Sequence, residues 1–268
     1  MRQGRGSDLE KHPRRISSAD VAMEEALEPA SGYIDTVADT QNEPAALAID
    51  AGISDLKVLY HDGKVALPVV LSIQTSTGLH RGVHMSRLVH AASSHASPDI
   101  VSWLRRICKE VNASQPGSSI TCTFELPYAD QFIPVSIKTS QAGSISYRFT
   151  AKGMTACPCS KKMIGIGHMQ RAEIVMMVQA RKPVDMLKLI DKVEECFSAV
   201  PTEKMKRVEE AKKILEAQSH ARFAEDLVRE CARRFPNSAY IRARCFESIH
   251  SHDAIATWSR KTGWVPEF

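Results

Sequence analysis

The sequence predicts an α+β fold made of two similar halves, and three observations point to it. Short runs rich in β-branched and aromatic residues, punctuated by Gly, Pro, Ser and Asp, read as strands. Stretches with apolar residues at helical spacing stand between and after these runs. Strand pairs followed by helices occur twice along the chain, a parallel of pattern without residue-level repetition.

Taken in order, residues 1 to about 30 are polar and charged with no sustained pattern, and read as a tail in which VAMEEALEP could form a short helix. From about residue 52, LKVLYH, ALPVVLSIQTST, SITCTFELPY, PVSIKTSQ and SISYRFTAKG read as strands. Between the second and third lie HMSRLVHAASS and SPDIVSWLRRICKEVNAS. In the latter, Ile100, Leu104, Ile107 and Val111 recur at helical spacing behind the cap Ser97-Pro98-Asp99. RAEIVMMVQAR (171–181) reads as a buried strand and PVDMLKLIDKVEECFSAV as an amphipathic helix. KMKRVEEAKKILEA and HARFAEDLVRECARRF read as further helices, and YIRARCFESIH as a closing strand. The expected organisation is a tail over 1–30, a first half over 31–150 and a second over 151–268.

A chain of 268 residues can bury a sizeable core, and 43% apolar with 25% charged residues is a soluble globular composition. The longest apolar run, VALPVVLSI at 65–73, is too short to span a bilayer, and MRQGRGSDLEKHPRR is followed by no apolar stretch. No membrane association and a cytoplasmic location are therefore expected. Seven scattered cysteines, an odd count, argue against a disulfide framework. The net charge of +4 is spread among interspersed acids, which speaks against a nucleic-acid partner and suits a small anionic substrate.

One segment carries chemistry: MTACPCSKKMIGIGHMQR at 154–171. Its Cys-Pro-Cys is too tight for a thioredoxin-type pair, and no helix pattern starts there. A structural zinc site needs four Cys/His ligands in two close pairs, whereas here stand one pair and one histidine. Two readings remain: buried sulfur in a turn, or an open catalytic metal site. The latter would have one thiolate, one imidazole, a third ligand from elsewhere and a water.

TACPCSKKMIGIGHMQR resembles the CPCSK…H-x-Q-R motif of the type IB GTP cyclohydrolases. Three further stretches agree in the same order: LHRGVHMSRL (79–88) with G-x-HMSR, RFAEDLVRE (222–230) with the FVED-VR helix, and CFESIHSHDA (245–254) with ESIH-H. The similarity runs over roughly residues 35–255. It implies tandem tunnelling-fold units, antiparallel sheets with helices packed on one face, the second half carrying most metal- and base-binding residues.

The resemblance also implies one divalent ion per subunit, Fe²⁺, Mn²⁺ or Zn²⁺, held by Cys157, His168 and Glu203. Glu209 and Glu210 compete with Glu203 for the third place, and Cys159 is a neighbour rather than a ligand. Glu247 would anchor guanine by accepting from N1–H and the 2-amino group. Catalysis would rest on Cys157 as ligand, on His250 as proton donor to the purine, and on Glu225 beside the attacking water. Without the resemblance, Glu225 and Asp226 read as solvent-facing. His84, Arg87, Lys161 and Arg171 are the cations implied for the triphosphate.

The implied reaction opens the imidazole ring of GTP, releases C8 as formate and recloses to 7,8-dihydroneopterin triphosphate, the entry to folate-type pterins. In the archaeal branch the product is the 2′,3′-cyclic phosphate. A homotetramer with sites between subunits is implied as well. Outside the family stand two rivals: a queuosine-pathway nitrile reductase using a nucleophilic cysteine and NADPH, and a non-catalytic metal- or nucleotide-binding module.

Overall fold

The structure, a computed structural model, describes residues 39–93 and 97–260. The expected tail over 1–30, with its VAMEEALEP helix, lies outside the described residues. The first unit contains β1 (Asp50–His61), β2 (Ala66–Ser76), α1 (Met85–Ala92), α2 (Ile100–Ser114), β3 (Ser119–Tyr128) and β4 (Gln131–Ser140). The second contains β5 (Ile145–Ala156), α3 (Pro158–Ile164), β6 (Met169–Ala180), α4 (Met186–Glu194), α5 (Arg207–Ser219), α6 (Ala224–Arg234), β7 (Ser238–Cys245) and β8 (Ala254–Ser259).

The eight strands form one sheet in chain order, each antiparallel to the next. Each unit contributes four strands and inserts helices between its second and third, an α+β architecture of two similar halves. The expected boundary at 150/151 falls inside β5. The four-stranded units meet instead at the turn after Ser140, where Gly143 N–H donates to the Ser140 carbonyl at 2.9 Å.

Strand pleating sends alternate residues to opposite faces. Ile120 and Cys122, Ile133, Val135 and Ile137, and Tyr147 and Phe149 are buried on the face covered by helices. Against them α2 lays Leu104, Ile107 and Val111, three of the four predicted positions, while Ile100 at its first turn is only half-buried. Its cap is Asp99, whose carboxylate accepts from Ser102 N–H at 2.8 Å. Truncating fully buried Leu104 to Ala would cost about 2–5 kcal/mol. The alternate positions on the other face include Lys138, Arg148, Lys152, Arg171 and Arg242, with Val175 and Met177 buried among them. No helix among the described residues is long and apolar enough to cross a membrane.

Three local expectations differ from the structure. A helix does begin at the Cys-Pro-Cys: α3 has seven residues and none buried, so it shows no apolar periodicity. The helix expected across 183–200 ends at Glu194. Beyond it Cys196 and Phe197 turn into the core, and Ala199 bridges Met154. Strand β8 was absent from the sequence reading because it follows the polar SIHSHD and has only six residues.

Candidate active site

Cys157 and His168 are joined through their backbones. Cys157 stands at the end of β5, where Pro158 opens α3 with its φ pre-set for a first helical turn. Gly165 closes α3 in the left-handed region, φ +82°, its N–H returning to the Lys161 carbonyl at 2.8 Å. The chain then doubles back, and Cys157 N–H donates to the His168 carbonyl at 2.9 Å. Gly167 makes the approach possible, since a Cβ there would lie 2.5 Å from the Cys157 carbonyl oxygen. Gln218, at the end of α5, clamps the same turn, accepting from Gly167 N–H and donating to its carbonyl, both at 2.8 Å.

Both residues line a cleft of 270 Å³ whose wall also holds Gln170, Glu225, Glu247, His250 and His252. Glu225 is in the first turn of α6, whose apolar side Ala224, Leu227, Val228 and Cys231 is buried. The neighbouring Asp226 is consumed by capping, accepting from Phe223 N–H at 3.0 Å. Glu247 and the histidines sit in the loop from β7 to β8. That loop is closed at its base by Arg244, which donates to Asp253 at 2.8 and 2.6 Å and lies 4.7 Å over the Phe246 ring.

Inside the cleft His168 Nδ1 lies 3.0 Å from Gln170 Oε1 and 3.8 Å from Glu247 Oε2. Gln170 Nε2 donates to Glu247 Oε1 at 3.3 Å. The His250 ring stands edge-on to His168 at 6.2 Å and stacks on His252 at 5.1 Å. Burial pushes the Cys245 thiol up to about 11, with the field of Glu247 and Glu225 adding to it, so at neutral pH it stays protonated.

The other expected site residues lie elsewhere. Arg171 follows Gln170 on β6, so the pleat turns it to the opposite face of the sheet. There it shares a cleft with Lys152, Glu173 and Glu203. Glu209 caps α5, accepting from Lys206 N–H at 2.7 Å, and Glu210 is exposed on the same helix. The Lys161 ammonium donates to the Gln218 carbonyl. His84, beside α1, pairs with Asp39 at 3.2 Å, while Arg87 lines a cleft with His90 and Glu110. Cys159 is exposed on α3.

Cys157 and His168 line one cleft, and a thiol with an imidazole is a donor set of the kind that zinc or iron(II) takes. Among the described residues no three His, Cys, Asp or Glu side chains are grouped to hold one, and Glu203 does not join the pair. Two residues of this cleft, Gln170 and His252, are not among those the sequence singles out. Gln170 carried a signal in the alternation of β6, which sets it two residues from His168 on one face.

The family model described as type I GTP cyclohydrolase folE2 matches residues 37–256. GTP cyclohydrolase MptA of Picrophilus torridus is 29% identical over 229 residues, covering 75% of this chain and 84% of its own. GTP cyclohydrolase FolE2 of Nitratidesulfovibrio vulgaris is 28% identical over 256 residues, covering 83% and 98%. Among solved structures, uricase from Arthrobacter globiformis is similar over 84% of this chain and 98% of its own, with TM-score 0.46 and 9% identity.

Proposed function

The chain belongs to the type I GTP cyclohydrolase folE2 family, and on that premise we propose that it opens the imidazole ring of GTP by hydrolysis, releases formate and forms 7,8-dihydroneopterin triphosphate. The observation that carries the proposal is the single cleft lined by Cys157, His168, Glu225, Glu247 and His250. Those side chains offer two metal donors, two carboxylates and a proton donor within one wall.

Cys157 and His168 would hold the divalent ion, which when bound supplies Lewis acidity and lowers the pKa of water. Glu225 takes the proton of the attacking water at C8. His250 delivers a proton to N7 as C8 becomes tetrahedral. Glu247 accepts from N1–H and the 2-amino group, a pair of charge-assisted bonds that fixes the ring and favours guanine over bases lacking those donors. One water opens the ring, a second releases C8 as formate, and closure of the new ring returns one, so the net reaction consumes a single water.

At 270 Å³ the cleft is below the roughly 300–1,000 Å³ of ordinary ligand pockets, enough for guanine and not for the triphosphate. Of the cations implied for the phosphates, Arg87 and Arg171 lie in other clefts of the same chain, and neither His84 nor Lys161 lines this one. A homotetramer with sites completed between subunits accounts for both facts. It is supported by the edges of β1 and β8, each paired on one side only among the described residues. It is supported also by an apolar depression of 1250 Å³ bearing exposed Leu59, Val65, Phe132 and Leu187.

The test is anaerobic incubation with GTP and Mn²⁺ or Fe²⁺, followed by oxidation and fluorescence detection of pterins. A fluorescent neopterin carrying a linear triphosphate is expected. A cyclic phosphate instead would place the chain with the archaeal branch, and absence of any pterin would overturn the proposal.

A further inference from the structure

Gln170 is a polar side chain at the centre of the cleft, only 9% exposed, to which the reaction above assigns no part. Its position follows from the sheet. The register that pairs Ala172 of β6 with Cys245 of β7, continued two residues, sets Gln170 opposite Glu247. The two-residue repeat of the strand sets Gln170 on the same face as His168. The amide therefore touches both: Oε1 lies 3.0 Å from His168 Nδ1, and Nε2 lies 3.3 Å from Glu247 Oε1.

The chemistry of the partners fixes which way the amide points. An ionised carboxylate only accepts, so the NH₂ group must face Glu247, and the carbonyl is left for the imidazole. His168 then carries its proton on Nδ1, and its Nε2 lone pair is free to bind an ion. Reversing the amide would set oxygen against carboxylate on one side, and on the other would draw the Nδ1 lone pair to NH₂ and put the imidazole proton on Nε2, the nitrogen left for an ion.

We propose that Gln170 is a positioning residue that couples the two halves of the site, holding His168 as a metal ligand through its carbonyl and Glu247 as the guanine anchor through its NH₂. This rests on the cyclohydrolase reading of the cleft. The two contacts use different ends of one amide, so they can be cut separately. Gln170→Glu keeps an acceptor for His168 and puts a like charge against Glu247, whereas Gln170→Leu removes both contacts.

The experiment measures zinc affinity by competition with a chelator, and GTP affinity by calorimetry on the metal-free protein. Gln170→Leu should lose about tenfold or more in each, the usual scale for a partner behind a metal-ligating histidine. Gln170→Glu should hold zinc within about twofold of wild type and lose about tenfold in GTP affinity. Should Gln170→Leu fail to fold, the nearly isosteric Gln170→Glu decides alone. Equal losses of zinc and GTP in Gln170→Glu, or wild-type values for both, would overturn the coupling while leaving the cyclohydrolase reading intact. A wild-type protein that binds neither zinc nor GTP would overturn both.

Discussion

Cys157 and His168 are tied by a 2.9 Å backbone hydrogen bond rather than by their side chains, leaving the thiol and the imidazole free to face the same cleft. The bond exists because Gly167 lets the chain fold back onto Cys157. Gly167→Ala would force a Cβ to 2.5 Å from backbone oxygen and 3.0 Å from backbone nitrogen, neither of which can move like a side chain. The expected cost is about 1–3 kcal/mol, with a lower melting temperature and reduced metal content. Thermal unfolding and elemental analysis check this, and wild-type values in both would contradict it.

The strands and most helices were legible because period-two and period-3.6 patterns mark them directly. Leu104, Ile107 and Val111 were read as core, and are. What stayed illegible has physical causes. Helix α3 buries nothing, so it leaves no apolar trace. CFSAV looks like a continuing helix, yet its first four residues are buried without one. The cleft was legible as separate motifs, yet its grouping depended on register: Glu247 meets Gln170 only because β6 and β7 pair as they do. Arg171 was expected near the same site, but one residue of pleat places it on the other face.

The separation of Glu203 from the donor pair gives a graded expectation. Cys157→Ala and His168→Ala should each lose bound metal, while Glu203→Ala, whose side chain lines the cleft on the opposite face, should lose less. Elemental analysis after dialysis distinguishes them. A Glu203→Ala protein as empty as Cys157→Ala would mean that the segment leading into α5 moves onto the site when the ion binds.

Glu247→Gln presents a donor to guanine donors in place of a carboxylate oxygen. GTP affinity should fall about 10–100-fold, roughly 1.4–2.8 kcal/mol, with metal content unchanged. Calorimetric titration measures the first and elemental analysis the second. Undiminished GTP binding would remove Glu247 from the role of base anchor.

Stability should also carry a pH signature from α6. Glu230 accepts from Arg233 at 2.7 Å and from Arg234 at 2.6 Å, and these bonds hold its carboxyl at about 2. A depressed folded value stabilises above the unfolded value of about 4.3, and the gain disappears as pH falls through about 2. Glu230→Gln should therefore be less stable than wild type at pH 6, by on the order of 1 kcal/mol because the pair is partly solvated. The gap should shrink in denaturant titrations as pH is lowered toward 2. A gap independent of pH would assign the effect to packing instead.

The central claim, that this cleft hydrolyses the imidazole ring of GTP, is tested most directly by following the C8 carbon. GTP labelled with ¹³C at C8 is incubated anaerobically with the metal-loaded protein and watched by NMR. The account predicts that the label leaves as formate, one per pterin formed, and that His250→Ala and Glu247→Gln slow its release. Wild-type protein that holds its metal yet leaves the label in GTP would contradict the account, and the nitrile-reductase and binding-module readings would move ahead of it.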